Sequence, residues 1–314
     1  MKWKDLRLSA KFTVGFGSIL LLLVLVGGWS VFGVNSIVED AEEVIDGNKL
    51  RAEIEQREID HLKWAMSLNA LLTDDKITEL SIETDPHKCG FGKWFYGEGR
   101  THAEALLPKL GSLLGQLEEP HRKLHESAIE IQDVFHQADL SLPQFLAEKE
   151  ADHLKWVNNV QAFFTEDLSR LDVQMDDHQC GLGQFLYGQR GKDLAATDPE
   201  LATLINEIKE PHRRLHDSAK MINENRDQKE ISYNIFKTNT LPALEKTQAK
   251  LAAIKSRGEE FIAGMKEANA IFAATTVPNL EMVQRLFGEV IDHTDKHIMT
   301  DDVLISDSNG TLIG

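Results

Sequence analysis

Proline is scarce in this 314-residue chain, at 8 residues, and cysteine scarcer, at 2. So few prolines leave long stretches free of helix breakers, and strict apolar–polar alternation, the mark of a half-buried strand, is hard to find. The two cysteines allow at most one disulfide, Cys89 to Cys180. Positive charge is also in deficit: 34 Lys and Arg stand against 51 Asp and Glu, a net charge of −17. Phosphate recognition needs a basic stripe, so this balance argues against nucleic acid as a partner, while metal cations stay compatible with it. No His-Glu-x-x-His, no nucleophile triad and no phosphate-cradling glycine loop is present, which speaks against an enzyme. Bridging carboxylates do not recur at fixed places, as a di-iron bundle would require. No second apolar run of spanning length follows Val34.

What the chain does contain is helical periodicity. Leu201 to Lys209 and Leu244 to Ser256 place apolar residues three and four apart. The expectation is an all-α protein.

Residues 12–34, FTVGFGSILLLLVLVGGWSVFGV, carry no charge. They make roughly 35 Å of helix at ~1.5 Å per residue, enough for a hydrocarbon core of about 30 Å. Lys2, Lys4, Arg7 and Lys11 precede the run, and Glu39, Asp40, Glu42 and Glu43 follow it. The positive-inside rule then predicts a single pass through the cytoplasmic membrane, residues 1–11 inside and the body in the periplasm or outside the cell. The run is long for a cleaved signal peptide and lacks a small-x-small cleavage site, so an uncleaved anchor is expected.

The chain repeats itself at an offset of about ninety residues. Asp60-His61-Leu62-Lys63-Trp64 returns as Asp152-His153-Leu154-Lys155-Trp156. His87-Lys88-Cys89-Gly90-Phe91-Gly92 answers to His178-Gln179-Cys180-Gly181-Leu182-Gly183, and each is followed by Tyr-Gly. Glu119-Pro120-His121 with His125 becomes Glu210-Pro211-His212 with His216. A weaker repeat at an offset of 36 aligns Ile235-Phe236, Thr240 and Pro242 with Ile271-Phe272, Thr276 and Pro278. These are expected to be two helix starts with an early proline.

Each ninety-residue copy offers three histidines and one cysteine. His121 and His125, like His212 and His216, stand four apart and share a helix face, just after a proline expected in the first turn. One thiolate with three imidazoles suits a closed tetrahedral zinc site, whereas calcium and magnesium want oxygen. The expected metal-ligating residues are His61, Cys89, His121 and His125, then His153, Cys180, His212 and His216, for two zinc ions per chain. Trp64, Trp156, Trp94 and Phe185 are expected as packing around the sites. His87 and His178 are expected just outside the ligands or on the surface, not as a fifth ligand. A lone His-x-x-x-His is a weak signal, but four positions recurring in register are not. Four protein ligands leave no open position for catalytic water.

On these motifs, His-x-x-Trp, Cys-Gly-apolar-Gly-x-aromatic and His-x-x-x-His, the chain resembles the chemoreceptor zinc-binding (CZB) domain family over roughly residues 45–228. The resemblance implies zinc held by the three histidines and the cysteine on a helical bundle. It further implies a place in bacterial chemoreceptors or diguanylate cyclases, commonly as homodimers, with zinc or an oxidant such as hypochlorous acid as stimulus. The expected layout is a transmembrane helix at 12–34, zinc-binding units at 35–140 and 141–228, a metal-free helical pair at 229–300 and a tail at 301–314. That tail holds an Asn-Gly turn signal and is expected to be truncated, with signalling partners only if a cytoplasmic region lies beyond it. The expected function is a membrane-anchored zinc or redox sensor region, with a passive zinc store as the alternative.

Overall fold

The structure, a computed structural model, describes residues 7–301 other than Asp167, with side chains to Ile298. The expected turn in the tail lies outside the described residues. Among the described residues every regular element is helical and none is a strand.

The chain divides into two compact units. Of the described residues, unit 1 comprises those up to 70, 80–129 and those from 272 on; unit 2 comprises 71–79 and 130–271. Unit 1 is built on α1 (Leu8–Thr73), α4 (Leu110–Val134) and α11 (Val277–Asp301), with short α2 (Gly90–Phe95) and α3 (Glu98–Leu106) between the first two. Unit 2 repeats the plan with α5 (Leu142–Thr165), α6 (Gly181–Tyr187), α7 (Gln189–Thr197), α8 (Pro199–Glu224), α9 (Lys229–Ile235) and α10 (Leu241–Ile271). Segment 229–300 is therefore not a separate pair: each unit takes part of it as a third long helix. Apolar faces explain the division. Val283, Leu286, Phe287 and Val290 of α11 close a core with Leu50, Ile54, Phe91, Leu110, Leu114 and Leu117. In unit 2, Leu251, Ile254 and Phe261 of α10 pack with Leu142, Leu182, Leu201 and Ile208. A second cluster joins Trp156, Val160 and Phe163 to Leu215, Ile222 and Leu244. At about 1.5–3 kcal/mol per buried large side chain, these faces outweigh any local preference for a free-standing pair.

Within α1 the character changes along its length. Over residues 12–34 it is apolar and exposed, Leu20 at 65% and Val24 at 64%. Further on, Leu50, Ile54, Trp64, Ala65 and Leu68 fall on one buried face at helical spacing. Among the described residues α1 is the one helix long and apolar enough to cross a membrane, and the protein buries none of that stretch.

One proline expectation is corrected and a second is qualified. Pro120 and Pro211 lie inside α4 and α8, not in their first turns. The helices start earlier because Leu110, Leu114 and Leu117 already face the core, and because Asp198 caps α8 by accepting from the Leu201 N–H, with Pro199 next. Pro242 and Pro278 do stand early in helices, as the second residues of α10 and α11, but neither helix starts from a loop. Each follows a π-helical segment, Phe236–Thr240 and Phe272–Thr276, inside an unbroken helical run from Lys229 to Asp301. The π turn supplies a longer backbone bond, Leu241 N–H to Phe236 O, just where a proline without an N–H must be accommodated. Buried hydroxyls pin both segments: Thr276 donates to Ser127 Oγ at 2.7 Å, and Thr240 to Ser218 Oγ at 2.8 Å. The serines themselves donate to Leu124 O and Leu215 O, which settles the direction of each bond.

Candidate metal centres

Three separate elements bring one group together in each unit. In unit 1, His61 comes from the C-terminal part of α1, Cys89 from the N-cap of α2, and His121 and His125 from α4. In unit 2 the corresponding places on α5, α6 and α8 supply His153, Cys180, His212 and His216. Within each group the ligand-type atoms all lie within 4.8 Å of one another. All six histidines are buried, at 4% exposure or less, and both cysteines are half-buried free thiols.

The cysteine is aimed by backbone chemistry. Cys89 Sγ accepts the Gly92 N–H at 3.1 Å and Cys180 Sγ the Gly183 N–H at 3.2 Å, as N-caps do. The turn before each cysteine folds back over the new helix so closely that only glycine fits there. A Cβ at Gly92 would stand 1.8 Å from Pro86 O, and one at Gly183 1.6 Å from Asp177 O.

The histidines are aimed by carbonyls. His61 Nδ1 lies 2.7 Å from Arg57 O, and His153 Nδ1 2.7 Å from Lys149 O. His125 Nδ1 meets Glu83 O at 3.0 Å, and His216 Nδ1 meets Gln174 O at 2.9 Å. A carbonyl only accepts, so each of these Nδ1 atoms carries the proton and each Nε2 keeps a bare lone pair. Nε2 of His61, His125 and His216 is buried without any hydrogen-bond partner. Orphaned lone pairs of this kind, converging with a thiol, fit a metal ion. The spacings agree. Bonds of about 2.3 Å to sulfur and 2.1 Å to nitrogen put tetrahedral ligand atoms about 3.4–3.6 Å apart. Cys89 Sγ stands 3.3 Å from His121 Nε2; Cys180 Sγ stands 3.8 Å from His153 Nε2 and 3.1 Å from His212 Nε2. No carboxylate belongs to either group, which suits zinc and not calcium or magnesium.

Burial sets the protonation state. It holds His121 down at about 2, His212 at about 3, and His125 and His216 at about 4, and it also lowers His61 and His153. Neighbouring histidines add to the depression of His121, His125, His212 and His216. Burial pushes both thiols up, opposed by the Gly92 and Gly183 N–H bonds. The imidazoles are thus ready as neutral ligands, while each thiol must lose its proton on binding metal. A pH dependence follows for the metal-free chain. His121, His125, His212 and His216 take up protons near pH 6.5 when unfolded but only near 4 or below when folded, so the unfolded state holds more protons in between. The stability they contribute is full above about 6.5 and drains as pH falls towards 4. The slope is about 1.4 kcal/mol per pH unit for each such histidine. Urea midpoints measured from pH 7.5 to 4.5 should decline steeply over that window; a flat profile would contradict the burial of these rings.

Trp64 and Trp156 pack beside the histidines, and their indole N–H groups donate to Glu83 O and Gln174 O at 2.8 and 2.7 Å. The same two carbonyls orient His125 and His216, so one backbone oxygen holds a tryptophan and a histidine together in each unit. Trp94 and Phe185 are core residues, as expected. His87 and His178 are exposed and stack on Tyr96 and Tyr187, with ring centroids 4.3 and 3.9 Å apart. His178 groups with Asp176 and Asp177 within 4.8 Å, whereas Pro86 takes the place of Asp177 in unit 1. The carbonyls of Glu83 and Gln174 were not legible as site groups, since a backbone oxygen leaves no mark on residue type. Their common offset of 91 residues was the only signal available.

Residues 61–132 and 153–223 each match the family model of the chemoreceptor zinc-binding domain. No curated protein and no solved structure matches the chain. The matched stretches contain both buried groups whole, from His61 to His125 and from His153 to His216. The chain thus contains two chemoreceptor zinc-binding domains, each with one His/Cys/His/His group, a provision consistent with two zinc ions per chain.

Proposed function

We propose that this chain is the zinc-binding sensor region of a membrane-anchored, chemoreceptor-like bacterial signal transducer. His61, Cys89, His121 and His125 ligate one zinc ion; His153, Cys180, His212 and His216 ligate a second. The observation that carries this reading is the convergence of buried, unpartnered Nε2 lone pairs with a thiol in both units. When bound, zinc closes each set as a four-coordinate centre with no position left for water, which favours sensing over hydrolysis. The stimulus is zinc itself, or oxidation of Cys89 or Cys180, which removes a ligand.

Membrane anchoring rests on the uncharged run at 12–34, its exposure on the protein surface and the basic residues before it. Under that reading the body lies beyond the outer face of the cytoplasmic membrane, and the resemblance adds a homodimer. His61 sits on α1, the helix that also carries the apolar run, so a metal-dependent shift at His61 acts directly on the segment leading to the membrane. Hydrogen exchange on the full chain tests this. Zinc added to the metal-free protein should slow exchange in α1 around residues 50–66 and in the turns at 83–92 and 174–183, and mild hypochlorous acid should reverse it. Zinc binding with no change in α1 would support a passive store instead.

A further inference from the structure

The two groups are alike in their ligand atoms and differ in the charge beside them. A zinc ion with one thiolate and three neutral imidazoles carries a net charge of +1, and burying such a charge is costly without a counter-charge close by. Unit 2 has one. Asp177 is buried at 5% exposure; its carboxylate accepts the Tyr187 O–H at 3.1 Å and the His178 Nδ1–H at 3.3 Å. Its backbone carbonyl accepts the Cys180 thiol at 3.5 Å, so the residue lies against the site, and its charge acts on both Cys180 and His216.

Unit 1 has Pro86 at that position. The Pro86 carbonyl takes the Cys89 thiol in the same way, at 3.5 Å, but the side chain is uncharged, and Tyr96 turns to Glu118 instead. Acids reach site 1 as well, Glu83 acting on Cys89 and His125 and Asp85 on His125, but neither is buried against it. Glu83 is exposed to solvent, and Asp85 is bound to Lys88 at 3.1 Å. Charges so placed are screened, while a buried carboxylate is not. The cations on the helices of His61 and His153 correspond: Arg57 lies 3.4 Å from Asp60, and Lys149 lies 2.6 Å from Asp152. Unit 2 alone has a further cation, Lys220, where unit 1 has Ile129; it is bound to Asp217 at 2.8 Å and also feels the charge of Asp177.

We propose that Asp177 is a positioning and counter-charge residue that makes the two centres unequal, so that zinc fills the unit 2 group before the unit 1 group. The chain then reports zinc over a wider concentration range than either centre alone. This rests on the zinc reading above. Groups just outside the ligands typically change metal affinity by about 10–100-fold, and that is the separation expected here.

The test is competition between the metal-free full chain and a chromophoric chelator for zinc. Cys89→Ala leaves only the unit 2 group intact, and Cys180→Ala only the unit 1 group. The Cys89→Ala chain should bind zinc at least about 10-fold more tightly than the Cys180→Ala chain. Adding Asp177→Asn to the former should remove most of that advantage. Adding Pro86→Asp to the latter should tighten binding, a gain that misfolding cannot mimic. Equal affinities in the two single variants, or no response to either Asp177→Asn or Pro86→Asp, would overturn this inference and leave the zinc reading intact. Absence of zinc binding in both backgrounds would overturn both.

Discussion

Elemental analysis of the purified chain is expected to return about two zinc ions per chain, about one in either Cys89→Ala or Cys180→Ala, and almost none in the double variant. The reason is the completeness of each set. One sulfur and three nitrogens fill a tetrahedron, and removing the sulfur leaves three neutral imidazoles and no anionic ligand for a dication. Stability should follow the metal, because an ion that binds only the folded chain stabilises it by mass action. At a thousandfold excess of free zinc over Kd this amounts to about 4 kcal/mol per site. A chelator should therefore lower the thermal midpoint of the wild-type chain and leave the double variant unmoved. The apo fold should persist, since the cores of both units are built from apolar faces that need no metal. A wild-type chain with no zinc and no chelator response would reduce both groups to buried histidine clusters.

The second large effect is expected at two glycines. Gly92→Ala would drive its Cβ into Pro86 O, and Gly183→Ala into Asp177 O, at separations no real pair of such atoms shows. Backbone stands on both sides of the clash, so no rotamer change relieves it, and the turn carrying the cysteine must open. The cost lies at the upper end of overpacking, about 3 kcal/mol. Because the same turn aims the sulfur, zinc should be lost from that unit alone. Gly90→Ala and Gly181→Ala provide the contrast. A Cβ there meets the far ends of Arg57 and Lys149, at 2.9 and 3.2 Å, and those chains swing aside. Zinc content and thermal midpoint of the four variants decide the matter: equal behaviour of Gly90→Ala and Gly92→Ala would show that the close approach does not govern the site.

How much of this was legible in the residues varies with the feature. The helical class was, because the spacing of apolar residues is a local property, and so was the doubling of the unit. The eight side chains gathered into two groups were also legible, since histidine and cysteine announce their chemistry by type and the repeat supplied the register. Helix boundaries at Pro120 and Pro211 were misread because a proline in sequence favours a first turn. In the fold, the apolar faces of α4 and α8 outweigh the lost backbone bond and carry the helix through it. The prolines at 242 and 278 marked the starts of α10 and α11, but the π-helical segments before them were not legible, since a π turn has no signature in residue type.

By itself, then, the sequence determined an all-helical chain with two copies of one ligand set and an apolar, uncharged run near its start. Only the tertiary structure decided the rest. It distributed α10 and α11 between the units, because which buried face a helix joins depends on partners far along the chain. It chose Glu83 O and Gln174 O as the oxygens that hold His125 and His216, because carbonyls become specific only when a loop is folded against a helix. It also buried Asp177 while leaving Glu83 in water, which turns two acidic residues of similar chemistry into one counter-charge and one solvated surface group.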